Sequence, residues 1–93
     1  MLIKRSTRKN KKYMLYDNIQ KKWIHFGDKR YEQFRDSTPL KLYRYLDHGD
    51  NSRRRRYFLR HSGVANKKKA IEKEMKKSRG RLNARILSHW LLW

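Results

Sequence analysis

The chain has 93 residues, 37% of them apolar and 38% charged, and its 27 Lys and Arg against eight Asp and Glu give a net charge of +19. This length fits one small domain with a shallow core, and self-repulsion of this size calls for a polyanion or an acidic partner. The absence of cysteine excludes disulfides and thiolate zinc sites, and no apolar run approaches membrane-spanning length.

The positive charge is spread along the chain. Residues 1–30 carry ten basic and two acidic groups, 31–63 eight and four, and 64–93 nine and two, so this is not a neutral domain with a basic tail. The start, "MLIKRSTRKNKK", lacks the apolar centre of a secretory signal. Synthesis in the cytoplasm is therefore expected, and the basic clusters at 8–12 and 67–69 are of the kind that supports nuclear entry.

Residues 11–28, "KKYMLYDNIQKKWIHFGD", read as a β-hairpin. Tyr13 to Tyr16 and Trp23 to Phe26 are rich in aromatic and β-branched residues and flank a turn-prone stretch. Alternation puts Tyr13 and Leu15 on one face, Met14 and Tyr16 on the other. Leu2 and Ile3 can add a third strand, and Gly27-Asp28 ends the sheet. Residues 29–37 read as one helical turn or an irregular connection, with Tyr31 and Phe34 packing onto the hairpin.

Thr38 followed by Pro39 is a helix-start signal. Leu40, Tyr43 and Leu46 would be that helix's buried stripe, closed by a left-handed Gly49. Asp50, Asn51 or Ser52 caps the next helix, about Arg53 to His61, and Gly63 ends it. In the lysine-rich stretch 67–77, Ile71 and Met75 share a face, and Glu72 can pair with Lys76. After a break near Gly80, Leu82, Ile86, Trp90 and Trp93 recur at spacings of four, four and three, which suits a helix. The expected architecture is a small α+β fold: an N-terminal antiparallel hairpin or three-stranded sheet, a two-helix corner, then C-terminal helices. Residues 1–63 would form the core, and 64–93 a basic helical extension with an apolar tail.

Residues 46–61, "LDHGDNSRRRRYFLRH", concentrate the reactive side chains. Asp47, His48, Asp50 and His61 are ligand types for zinc or manganese, yet they match no recognised metal spacing. Read as a corner, the stretch gives its residues separate structural roles, with Asp50 capping a helix and Asp47 pairing with the arginines. No catalytic residue, metal, cofactor or small-molecule substrate is expected. Arg53, Arg54, Arg55, Arg56 and Arg60, joined by Lys67, Lys68 and Lys69, are the expected anion-binding set, because Arg forks match phosphate oxygens. Bases could stack on Tyr16 or Trp23 as in single-strand binders, though core packing is the commoner fate of such aromatics.

The tail "ILSHWLLW" is too apolar to stand in water, and must tuck under its own domain or plug a partner's groove. The scarcity of apolar surface elsewhere favours the partner, with Leu82, Ile86, Trp90 and Trp93 as docking residues. Membrane anchoring is disfavoured because the stretch is short and His89 interrupts it.

Residues 23–61, "WIHFGDKRYEQFRDSTPLKLYRYLDHGDNSRRRRYFLRH", carry a combined pattern. It comprises His25 to Gly27, Tyr31-Glu32, Asp36 with Thr38, Leu46 to His48 with Asp50, Arg53-Arg54, and Tyr57 with His61. With the Trp-bounded tail, this resembles short basic proteins of unassigned function encoded by nucleocytoplasmic large DNA viruses. The resemblance covers about 12–62 and again 88–93, while 64–87 has lysines where that family carries a more aromatic, proline-containing linker. It implies a viral origin, with synthesis in the host cytoplasm, and neither an enzymatic activity nor a ligand. The expected role is a basic structural protein of the virion, minor capsid or core-associated, bound to capsid proteins or packaged DNA within a larger assembly. A free, sequence-nonspecific nucleic-acid binder for genome compaction or transcription is the alternative, and a nuclease on the Asp/His cluster stands third.

Overall fold

Period-two burial builds the N-terminal half. In the computed structural model, which describes residues 2–93, strands β1 (Ile3–Arg5), β2 (Lys11–Asp17) and β3 (Lys22–Asp28) form an antiparallel sheet in the order β1-β2-β3. Ile3 pairs with Leu15, Leu15 with Ile24, and Tyr13 with Phe26, so these five side chains line one face. That face is the floor of the main core. The opposite face carries Met14, Tyr16, Trp23 and His25, all part-exposed, with Lys4 paired to Met14.

Three helices follow: α1 (Asn51–Ser62), α2 (Lys67–Lys77) and α3 (Ala84–Leu91). The α+β class with a three-stranded sheet is the one expected. None of the helices among the described residues is long and apolar enough to cross a membrane. Asp50 caps α1 by accepting from the backbone N–H groups of Ser52 and Arg53 at 2.8 and 3.2 Å. Gly63 closes it at φ 73°, as its position suggested. Asn66 and Asn83 cap α2 and α3 in the same way.

The helix expected from Pro39 does not form; only a short 3-10 turn, Arg44–Leu46, interrupts a loop. Thr38 is buried, but its hydroxyl and N–H donate to Asp36 at 2.6 and 3.0 Å instead of starting a helix. The Asp36 carboxylate also accepts from the Tyr43 N–H at 3.1 Å and from the Tyr13 hydroxyl, which in turn accepts from the Leu42 N–H at 2.9 Å. Lys41 sits at φ 50°, outside any right-handed helix. Side-chain partners for the backbone thus outcompete the i→i−4 ladder. Of the expected stripe only Tyr43 is buried, and Leu40 is exposed. The two-helix corner is therefore a loop-to-helix corner.

Tyr31 and Phe34 do not pack down onto the sheet as expected. Tyr31 is exposed, and Gln33 takes the interior position. Its side chain donates to the Tyr43 carbonyl and to Asp47, both at 2.7 Å, and accepts from the buried Lys12 ammonium. Burial pulls Lys12 down to about 8, against the opposing pull of Asp36 and other carboxylates.

Residues 64–93 are not an extension. Leu87, Leu91 and Leu92 close the sheet core from above, with Leu82, Ala84 and Trp93 around them. The tail is also hydrogen-bonded to the loop: Arg35 N–H donates to Leu92 O at 3.0 Å and Ser37 N–H to Leu91 O at 2.9 Å. Gly27 admits this closure. It lies at φ 75°, and a Cβ there would come within 2.9 Å of Leu92. The main core is drawn from both ends of the chain and joins the two expected parts.

Candidate nucleic-acid interface

Helix α1 buries Tyr57, Phe58 and Ser62, and this orientation separates the arginine run into groups. Arg54 and Arg55 line a cleft of about 710 Å³ with Lys67 and Lys68, between the starts of α1 and α2. None of the residues lining it is acidic, and neither helix has an acidic residue in its first turn. The N-terminus of α2, capped by the neutral Asn66, thus meets four cations with its partial positive charge uncompensated, whereas that of α1 carries the Asp50 carboxylate just outside the lining. Burial, and after it the nearby Arg54 charge, lowers the Lys67 pKa. Lys67 is anchored there by donating to the Trp90 carbonyl at 3.0 Å. Chemically, such a cleft can hold phosphate oxygens through charge-assisted hydrogen bonds.

Arg53 and Arg60 face a second groove, of about 750 Å³, together with Arg85 and Lys11. This one is mixed in sign. Glu32 pairs with Arg53 at 2.9 Å, and Asp28 with Arg30 at 2.7 Å. Arg56 and Lys69 are exposed and line neither cavity. Of the eight residues expected to bind anions, four are therefore brought together without counter-charge, and the other four are not. Arg54 also lies over the Phe34 ring at 4.5 Å, a cation–π contact that restrains its guanidinium.

The Asp/His cluster is dispersed into structural roles. Asp47 turns inward to accept from Gln33 and from the Asp36 N–H at 2.8 Å, and does not pair with the arginines. His48 Nδ1 accepts from the Asp50 N–H at 2.9 Å, Asp50 caps α1, and His61 packs on Tyr57. Among the described residues, no group of three or more metal-binding side chains converges.

The expected docking stripe is largely consumed by the fold. Ile86 is buried, Leu82 packs beside the sheet core, and Trp93 stacks on Tyr57 at 4.1 Å with the rings nearly parallel. Only Trp90 is exposed. The apolar surface that receives the tail is the Tyr13, Leu15, Ile24 and Phe26 face, whose size is not apparent until the strands are paired.

A buried polar cluster joins the three helices, and sequence reasoning missed it. Tyr57 OH donates to His89 Nδ1 at 2.8 Å, His89 Nε2 donates to Ser62 Oγ at 2.7 Å, and Ser62 donates to Glu74 at 2.9 Å. The Ser–carboxylate bond fixes these directions, since Ser62 has one proton and gives it to Glu74. His89 thus donates to the hydroxyl instead of accepting its proton, the reverse of nucleophile activation. All four side chains are buried. Burial holds His89 down to about 4, with Glu74 pulling the other way. The expected Ile71/Met75 face of α2 is correspondingly rotated, so that Ala70 and Glu74 point inward. Glu74 pairs with Arg85 at 3.6 Å and Lys77 at 3.9 Å. The spacing of Ala70 and Glu74, four apart, was a readable signal only if a glutamate had been allowed in a core.

The chain gives no match to any curated protein or solved structure. Residues 1–61, which hold the sheet, the Asp36 loop and nearly all of α1, match the model described as "Family of unknown function (DUF5754)", and with almost two thirds of its length inside that match the chain belongs to the DUF5754 family.

Proposed function

We propose that the protein is a non-enzymatic, sequence-nonspecific nucleic-acid-binding component of a large DNA virus particle, holding packaged DNA by phosphate contacts. The observation that carries this reading is the acid-free cleft where Arg54, Arg55, Lys67 and Lys68 meet the N-termini of α1 and α2. A bound phosphate relieves the like-charge crowding and complements the dipole of α2, whose cap is the neutral Asn66. The net charge of +19 supplies further, less ordered contacts. The virion setting rests on the resemblance of residues 12–62 and 88–93 to proteins of large DNA viruses. The folded-back tail favours a second reading, a diffusible binder for genome compaction or transcription, because, of the expected docking residues Leu82, Ile86, Trp90 and Trp93, it leaves Trp90 alone exposed.

Salt titration of duplex DNA binding tests the mechanism. With about six phosphates neutralised, the log–log slope is expected near roughly −5. Arg55 and Lys68 are exposed, so Arg55→Ala with Lys68→Ala should keep the fold and flatten the slope by about two units. Salt-insensitive binding, or an unchanged slope in the double variant, would remove the cleft from the mechanism. Binding to an acidic capsid protein with none to DNA would transfer the charge argument to the capsid. Location of the protein in purified particles separates the virion component from the diffusible binder.

A further inference from the structure

Aromatic residues at strand period usually belong to a core, yet Tyr16 and Trp23 occupy neither core cluster. Directly paired across β2 and β3, they lie on the face of the sheet turned away from α3, next to the Met14–His25 pair. Helix α3 meets the sheet through the other face, where Leu87, Leu91 and Leu92 join Tyr13, Leu15, Ile24 and Phe26. The rings of Tyr16 and Trp23 meet edge-on, 5.3 Å between centroids and 67° between planes. An edge-on pair covers one ring face, where a parallel stack would cover two.

The charges recorded at this face are those of Lys4, Arg8 and Lys11, the last of which also neighbours Asp28 across the strand pair. Lys4 lies 5.7 Å from the Trp23 ring centre. Burial lowers the His25 pKa, and the charges that lower it further are those of Arg8 and Lys11, with no carboxylate acting on it. Ser6 holds His25 through Nδ1 at 2.7 Å, which fixes the imidazole plane. A sheet face with part-exposed aromatic rings, edged by Lys4, Arg8 and Lys11, has the two elements that single strands need. Rings take unpaired bases by stacking, and cations take the phosphates between them.

From this arrangement we infer that the open sheet face binds single-stranded nucleic acid, with bases stacked on Tyr16 and Trp23 and the backbone on Lys4, Arg8 and Lys11. This rests on the nucleic-acid reading above and deepens it. The α1/α2 cleft holds phosphates of any strand, whereas the sheet face requires bases that are not paired. Duplex DNA cannot offer base faces to a flat sheet, so the two surfaces differ in what they select.

Fluorescence anisotropy with labelled twelve-residue probes separates them: oligothymidine, oligouridine, an abasic strand of equal length, and a duplex. Stacking contributes on the order of 5- to 150-fold per base. Wild-type protein is expected to bind oligothymidine at least about ten-fold more tightly than the abasic strand. Tyr16→Leu with Trp23→Leu, which keeps apolar cover on the sheet, should remove that preference and leave duplex affinity within about two-fold. Tyr16→Phe with Trp23→Phe should restore it, because a ring suffices. The oligouridine arm tells RNA from DNA within the same chemistry. Equal binding of abasic and base-bearing strands by wild type, or equal losses on duplex and single strand in the folded leucine variant, would overturn the inference while leaving the cleft intact. Absence of binding to every probe would overturn the nucleic-acid reading as well.

Discussion

The sheet side and the helix side of this small protein are held together by different forces. On the sheet side, Ile3, Tyr13, Leu15, Ile24 and Phe26 meet Leu87, Leu91 and Leu92 in an apolar core, with Asp36 collecting hydrogen bonds at its margin. On the helix side the apolar contribution is Tyr57, Phe58 and Ala70, and a polar chain from Tyr57 through His89 and Ser62 to Glu74 occupies the rest. With 37% apolar residues there is enough for one core of ordinary composition. The second is completed with hydrogen bonds, which are directional and specify one arrangement, but which also titrate. The helix side, with its buried imidazole, should therefore be more sensitive to mild acid than the sheet side, whose His25 is part-exposed.

Truncation in the sheet core should give the largest effect. Leu87 is fully buried, so Leu87→Ala is expected to cost about 2–5 kcal/mol in urea unfolding, with the same loss at pH 7 and pH 5. A loss that changes with pH would show that the two sides are not separable.

Acid should act through His89. The folded chain keeps it neutral to about pH 4, while the unfolded chain takes up a proton near 6.5. Between those values the unfolded state binds more protons, so stability falls as pH falls, by about 3 kcal/mol on reaching the lower value. Glu74, His61, Arg85 and Lys67 act on the same ring. Glu74, itself lowered, contributes its own loss only below its ordinary value of 4.5. His25, His48 and His61 are also lowered and act in the same direction. The difference between wild type and His89→Gln isolates the buried ring: the variant should be less stable at pH 7 and lose less on acidification to pH 5. Parallel pH profiles would dismiss the cluster as the acid-sensitive element.

The smallest change sits at the junction of the two sides. Gly49 adopts φ 62°, with open space around the position a Cβ would take. Gly49→Ala should thus cost only backbone strain, about 1 kcal/mol. A cost several times larger would mean that this junction couples the two regions more tightly than its surroundings imply.

Local signals were legible from the chain alone. The hairpin showed as alternating aromatic and β-branched residues, α1 as Asp50 at one end and Gly63 at the other, and the break near Gly80 as a change of stripe. The cationic residues were legible as a set, but their grouping was not. Helical rotation divides Arg53 from Arg54 although they adjoin in sequence, and Lys67 joins Arg54 only through the packing of α2 on α1. Trp23 and Tyr16 read as core because strand periodicity reports which residues share a face, without saying which face a helix will cover.

Composition, charge, strand pairing and helix caps were determined by the sequence itself, because each depends on interactions within a few residues or on a sum over the whole chain. Tertiary structure decided the remainder. Residues 38–48 carry a good helix start, but the Asp36 carboxylate and the Tyr13 hydroxyl, brought near by folding, offer those backbone groups better partners. His89 interrupts an apolar tail in the sequence, yet it sits in the interior, because Tyr57 and Ser62 of α1 satisfy both ring nitrogens there. An unpaired imidazole would have been costly to bury, and only three-dimensional packing could supply two hydroxyls at hydrogen-bond distance from residues 27 and 32 positions away in the chain.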